Sequence, residues 1–247
     1  MVRCARNPVP RGLQSATYTY DAAGQRIKSA VTVAGTTTTT NWVYDGITLM
    51  SLSATQGSSS WRVDCLYDED GTPYGGVYRS PSTSTSPTYF TTITNDRGDV
   101  VELLDANGAA FAAYHYDAWG LPQGAGIWTV STGLINATLV GQMASRQVLR
   151  YAGYAYDSES GLYYCSARYY DPTTRQWTTA DSAEADGEES AYQYCDGNPV
   201  CGIDNTGREV RWFTDYFWCT HRSSPFRHPS LGEWRGHLQL RGGRLVC

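Results

Sequence analysis

Long apolar runs are missing from this chain of 247 residues. No stretch is long enough to span a bilayer, and the N-terminal MVRCARNPVPRGLQS lacks the apolar core of a secretory signal. Charge is scarce as well. Charged residues make up 17% of the chain and the net charge is −5, which argues against a broad cationic footprint for nucleic acid. Cys-x-x-Cys spacing is absent among the seven cysteines, Cys4, Cys65, Cys165, Cys195, Cys201, Cys219 and Cys247. That removes the usual zinc knuckle and dithiol redox motifs, and neither a metal nor a cofactor is expected. Two readings of the thiols stay open: unpaired and mostly buried, or one Cys195–Cys201 disulfide in an exported protein.

Aromatics and glycines are what the chain has in excess: 19 Tyr, 8 Trp and 25 Gly. Aromatic side chains suit a half-buried pleated surface, so the composition predicts an all-β chain rich in turns. A short phrase then recurs. Residues 18–24 read YTYDAAG, 65–71 CLYDEDG, 114–120 YHYDAWG and 154–161 YAYDSESG, with weaker copies at 42–46, 95–98 and 104–108. Tyrosines two apart share one face of a strand. Asp followed three residues later by Gly marks a type I turn, the carboxylate accepting backbone N–H bonds. Each copy therefore predicts a strand end, a tight reversal and a return strand. One hairpin is marginal in water, but a series paired edge to edge forms a sheet. Tyr20, Tyr116 and Tyr156 are accordingly expected in one continuous wall. The threonine run at 36–40 and the Ser/Thr/Pro stretch at 80–86 read as extended hairpin tips. Residues 133–148 fit a short helix or an irregular crossover.

Residues 151–207 carry a denser set of motifs: Gly161-Leu-Tyr-Tyr164, Arg168-Tyr-Tyr-Asp-Pro172, Asn198-Pro199 and Asp204-x-x-Gly207. In this order, after Tyr-Asp-x-x-Gly units, they resemble the RHS (rearrangement hotspot) and YD-repeat family, with its repeat-associated core at 151–208. The resemblance implies antiparallel hairpins forming a curved strip, the C-terminal part of a β-cocoon shell that encloses an effector segment. It implies an unstructured leader at 1–17, repeat hairpins at 18–150 and a variable tail at 209–247. As partners it implies the chain's own effector segment or further shell strands, a secretion apparatus and an immunity protein, with secretion or cell-surface display. The chain is short for this family and reads as a fragment of a longer shell.

The resemblance also implies self-cleavage at the end of the core. Asp181 and Asp204 stand where the family's Asp-Pro pairs fall, and Arg168 matches the arginine of its Arg-Tyr-Tyr-Asp-Pro run. Two neighbouring carboxylates share one proton, so one activates water while the other donates. Arg168 is expected to bias that pair or to bind the scissile carbonyl. The cut is expected after Arg208. The chain departs from the family pattern at Arg175, Ser182, Asn205 and Arg208. The alternative is that Asp181 and Asp204 are ordinary turn residues.

Other residues have simpler readings. Asp21, Asp68, Asp105 and Asp117 are expected to cap turns rather than bind metal. His115 is expected to face away from Tyr114 and Tyr116, at the surface. The tyrosine faces suit either core packing or stacking on a cell-surface glycan. The tail is basic and aromatic, with Arg211, Arg222, Arg227, Arg235, Arg241 and Arg244 among Trp212, Phe213, Tyr216, Phe217 and Trp218, and with His221, His228 and His237. It reads as an unrelated or truncated tail or as a nuclease-like effector.

Overall fold

Ten strands follow one another in chain order within one antiparallel sheet. They are β1 (Leu13–Tyr20), β2 (Arg26–Val33), β3 (Thr36–Asp45), β4 (Thr48–Gln56), β5 (Ser59–Tyr67), β6 (Pro73–Arg79), β7 (Thr88–Thr94), β8 (Val100–Leu104), β9 (Ala110–Tyr116) and β10 (Pro122–Thr129). The computed structural model describes residues 12–80, 86–181, 190–213, 239–241 and 244–246. The chain divides into two compact units, Met1–Arg211 and Trp212–Cys247. In the second unit a hairpin pairs Gln239–Arg241 with Arg244–Val246.

The repeat phrase makes the turns. Asp21 Oδ1 accepts the N–H groups of Ala23 and Gln25, both at 2.9 Å. Gly24 closes the reversal by donating to the Asp21 carbonyl at 3.1 Å, in a left-handed conformation (φ +80°) that favours glycine. The same two side-chain bonds recur at Asp68, Asp105 and Asp117, and at Asn95 with an amide oxygen instead of a carboxylate. A register shift adjoins several of these turns, between Thr19 and Tyr20 and between Leu66 and Tyr67, for example. Such bulges increase local twist.

One sheet face carries the core. Trp42, Leu52, Val63, Tyr78, Phe90, Leu103, Phe111 and Tyr114 are buried there. A helix, α1 (Ala137–Arg146), covers the face with Val140, Met143 and Ala144, spaced i, i+3, i+4. Asn136 caps it, its Oδ1 accepting the Leu139 N–H at 3.0 Å. Each large side chain fully buried here contributes about 1.5–3 kcal/mol.

After α1 a second, four-stranded antiparallel sheet forms from β11 (Ala155–Asp157), β12 (Leu162–Cys165), β13 (Arg168–Asp171) and β14 (Gln176–Trp177). A two-residue strand, β15 (Gly202–Ile203), follows. The expected single wall is therefore corrected. Tyr20 and Tyr116 lie in the ten-stranded sheet, whereas Tyr156 lies in the smaller one. Two further expectations change. Thr36–Thr40 is not a hairpin tip but the first half of β3, hydrogen-bonded on both sides, with Thr32 and Thr37 hydroxyls 2.8 Å apart. Residues 13–17 are not leader but part of β1, Thr17 lying opposite Ala30. Residues 1–11 and 81–85 lie outside the described residues.

Candidate functional site

The small sheet grips both ends of the large one. At the first end, the Arg26 guanidinium pairs with Asp157 while its backbone N–H donates to Tyr164 Oη at 2.8 Å. Beside it Tyr18 Oη donates to Glu159 at 2.8 Å, and the Tyr20 and Tyr169 hydroxyls meet at 2.9 Å. At the other end, three phenols bind successive carbonyls of the Asp117 turn. Tyr151 donates to Ala118, Tyr170 to Trp119 and Tyr163 to Gly120, at 2.9, 2.8 and 2.7 Å. These tyrosines pack on Tyr154 and Tyr194, with Tyr170 and Tyr194 stacked at 4.1 Å. Their faces are occupied by one another. His115 is exposed on β9, and the four turn aspartates hold backbone N–H groups.

The residues singled out at the end of the core come together. Arg168 opens β13, opposite Cys165, after a tight turn through Ser166 (φ +63°). Its guanidinium is buried and lies 4.3 Å from the Trp177 ring centre. Nη2 reaches Asp181 Oδ2 at 2.9 Å and Asp204 Oδ2 at 3.3 Å. Nε donates to the carbonyl of Gly207. One guanidinium thus stands among both carboxylates and a main-chain carbonyl. Asp181 is partly exposed, Asp204 is buried, and the Asp181 N–H donates to the Ala191 carbonyl at 2.8 Å.

Asp204 occupies a turn of the repeat kind. Its Oδ1 accepts from Thr206 N at 3.3 Å and from Arg208 N at 3.0 Å, the i+2 and i+4 positions used at Asp21. Two features set it apart. Glu209 N adds a further bond to the same oxygen at 3.1 Å, and the other oxygen faces Arg168. Gly207 has φ +70°, and a Cβ there would sit 2.9 Å from the Cys165 carbonyl, so the turn is pressed against β12. Sequence reasoning missed two positioning residues. Tyr154 Oη donates to the Asp204 carbonyl at 2.8 Å and accepts its N–H at 3.1 Å, while the Tyr194 hydroxyl lies 3.0 Å away. Burial pushes both phenols far above their usual range, so they remain protonated donors. The Tyr192-x-Tyr194 motif was the available signal, but spacing alone does not reveal that Tyr194 meets Tyr154, forty residues away.

The cysteine alternatives are also decided in part. Cys201 is disulfide-bonded while Cys195 is a free thiol, so the two are not joined to each other. Cys65, Cys165 and Cys195 are buried, and burial pushes the thiols of Cys65 and Cys195 up to about 12, which leaves them unreactive. Ser182, His221, His228, His237, Arg222, Arg227 and Arg235 lie outside the described residues.

No family model matches the chain. A tRNA3(Ser)-specific nuclease, WapA of Bacillus spizizenii, is 34% identical over 199 residues, 79% of this chain and 8% of that protein. The probable deoxyribonuclease RhsA of Dickeya dadantii is 40% identical over 77 residues, 29% of this chain and 5% of that protein. The chain therefore spans under a tenth of the length of either relative. Among solved structures, the TcdB2-TccC3-Cdc42 complex matches with a TM-score of 0.62 over 78% of this chain and 9% of that one, at 20% identity, a likeness of fold. With its Tyr-Asp-x-x-Gly turns, its sheet of consecutive hairpins and these relatives, the chain is an RHS-type protein.

Proposed function

We propose that this chain is the closing segment of an RHS shell, in which the ten-stranded strip forms wall and the small sheet ties that wall together around an effector segment. The observation that carries this reading is the double grip of the small sheet, on Arg26 at one end and on the Asp117 turn at the other. A module of this kind serves whatever follows it. The two relatives are named for different nuclease activities, which agrees with a common wall carrying different cargo. Export through a secretion apparatus, action at or beyond the cell surface and neutralisation by an immunity protein belong to the same proposal. The test is retention. A protease site is placed after Arg208 and cut, and the tail is expected to co-elute with residues 1–208 in size-exclusion chromatography. Elution of the tail as a free peptide from a still-folded strip overturns the reading.

Self-cleavage is a second reading, favoured by the convergence of Arg168 and Asp204 on the Gly207–Glu209 backbone, with Asp181 on the same guanidinium. In this reading the carboxylates act as an aspartic pair, once, on their own chain. Asp181, the more exposed of the two, activates water. Arg168 stabilises the oxyanion and Asp204 stands at the leaving nitrogen. Purified protein is expected to yield two fragments on a denaturing gel, and Asp181→Asn is expected to yield none. Intact chain alone after long incubation overturns it.

A further inference from the structure

A cavity of about 600 Å³ lies on the core-bearing face of the strip, a volume that suits a small ligand. Strands β2–β5 form one wall, and the C-terminal end of α1 with the β11–β12 turn forms the other. Trp42 and Leu52 are buried at its floor, while Thr36 and Gln56 are exposed at its mouth. Four charged side chains line it: Arg146, Arg150, Asp157 and Glu159. Two of them are already engaged. Asp157 pairs with Arg26, and Arg150 donates to the carbonyls of Leu149 and Ala144, both at 2.8 Å. The other two, both half-buried, have no ion-pair partner among the described residues. Glu159 takes only the Tyr18 hydroxyl, on Oε1, which leaves Oε2 to a ligand. Arg146 uses Nη1 on Tyr78 Oη and, at 3.1 Å, on Gln142 Oε1, which leaves Nε and Nη2. Opposite charges that line one cavity without meeting call for a ligand that carries both complements.

The span between the two charges sets the ligand's length. Glu159 is held by Tyr18 of β1, and the Arg146 guanidinium lies 3.9 Å from the ring centre of Trp61 on β5. From β1 to β5 is four strand spacings, about 19 Å along the sheet, the reach of about five or six extended residues. Between the charges lie Thr38 and Thr40, whose hydroxyls suit peptide groups, and Val31 and Leu52, which offer aliphatic surface. We propose that this cavity binds a short linear peptide with free ends, its α-amine at Glu159 and its α-carboxylate at Arg146. The site is distinct from the Asp204 turn and involves no covalent step.

The experiment titrates the isotope-labelled full chain with the synthetic peptide Ala-Val-Thr-Val-Ala, followed by NMR at the β3 amides and the Trp61 indole. The peptide is used with free ends, capped at either end, and capped at both by acetylation and amidation. The free-ended form is expected to shift these signals saturably, and the doubly capped form to bind about tenfold more weakly. Arg146→Gln is expected to bind the carboxylate and its amide equally while still preferring the free amine. Glu159→Gln is expected to show the reverse. A crossed pattern of this kind does not arise from a merely structural role. Three results overturn the proposal: no saturable shift at β3 and Trp61, equal binding of free and doubly capped peptide, or variants that lose both preferences together. Equal binding of the two forms assigns the cavity instead to an internal stretch of polypeptide. Where a variant fails to fold, the native chain's preference between free and capped peptide decides alone.

Discussion

Arg26 shows how far a single side chain departs from the usual rules. It is 0% exposed, and its Nε and Nη2 hydrogen atoms find no acceptor. Its stabilisation comes from Asp157 and from aromatic faces, with Trp42 at 4.1 Å and Tyr164 at 4.4 Å from the guanidinium carbon. Burial pushes the Asp157 carboxyl up to about 6, against the opposing pull of Arg26 and with Glu159 adding to the rise. The sign follows from which state holds the proton. Between the ordinary 3.8 and about 6 the native state keeps a proton that the unfolded chain has released. This group's contribution is therefore full below that range and is lost as pH rises through it. Arg26→Met removes the cation and drives the carboxyl higher still. The variant is expected to lose about 3–5 kcal/mol near about pH 8, and distinctly less near about pH 5, where the carboxyl is neutral. Urea unfolding at the two pH values checks this, and an equal loss at both contradicts it.

At the scale of elements, the repeat turn is one device used in two settings. After β1 the turn is open: a Cβ on Gly24 meets nothing within 4 Å. After β9 it is roofed: a Cβ on Gly120 would lie 2.6 Å from the Tyr151 ring. Both glycines have positive φ, so both alanine variants carry the backbone cost of about 1–2 kcal/mol. Gly120→Ala is expected to cost about 1–3 kcal/mol more, from overpacking against Tyr151. Thermal or urea unfolding of the pair checks the difference, and equal losses contradict it. The contrast also marks what was legible. Asp and Gly three apart announce each turn, because the bonds that make it are local. The roof over Gly120 comes from residue 151 and is invisible in the phrase YHYDAWG. The helix α1 was half legible, since Val140, Met143 and Ala144 carry the right spacing but the segment lacks the repeat's punctuation. Arg168, Asp181 and Asp204 were named from motif order, whereas Tyr154 and Tyr194 enter only through contacts across forty and fifty residues.

For the molecule as a whole, the consequence of one small sheet holding two distant places is cooperativity. Asp157, Tyr164 and Tyr169 on β11–β13 hold Arg26, Tyr18 and Tyr20, while Tyr163 and Tyr170 on β12 and β13 hold the Asp117 turn. Adjacent residues of one strand thus face opposite ends of the strip: Tyr163 with Gly120, Tyr164 with Arg26. A rigid tie of this kind opens as a unit, and local opening is read from amide hydrogen exchange. Tyr163→Phe removes one hydroxyl and leaves the Gly120 carbonyl without that partner, a loss of about 1–3 kcal/mol. If the sheet is one cooperative unit, exchange is expected to quicken not only at Leu121, beside the lost bond, but also at Arg26, whose N–H depends on Tyr164. The amides of β4 and β5, which the small sheet does not hold in this way, serve as the internal reference and are expected to stay unchanged. Faster exchange confined to residues 117–121 contradicts the tie. It would make the two grips independent and remove the reason for assigning closure of the wall to this sheet.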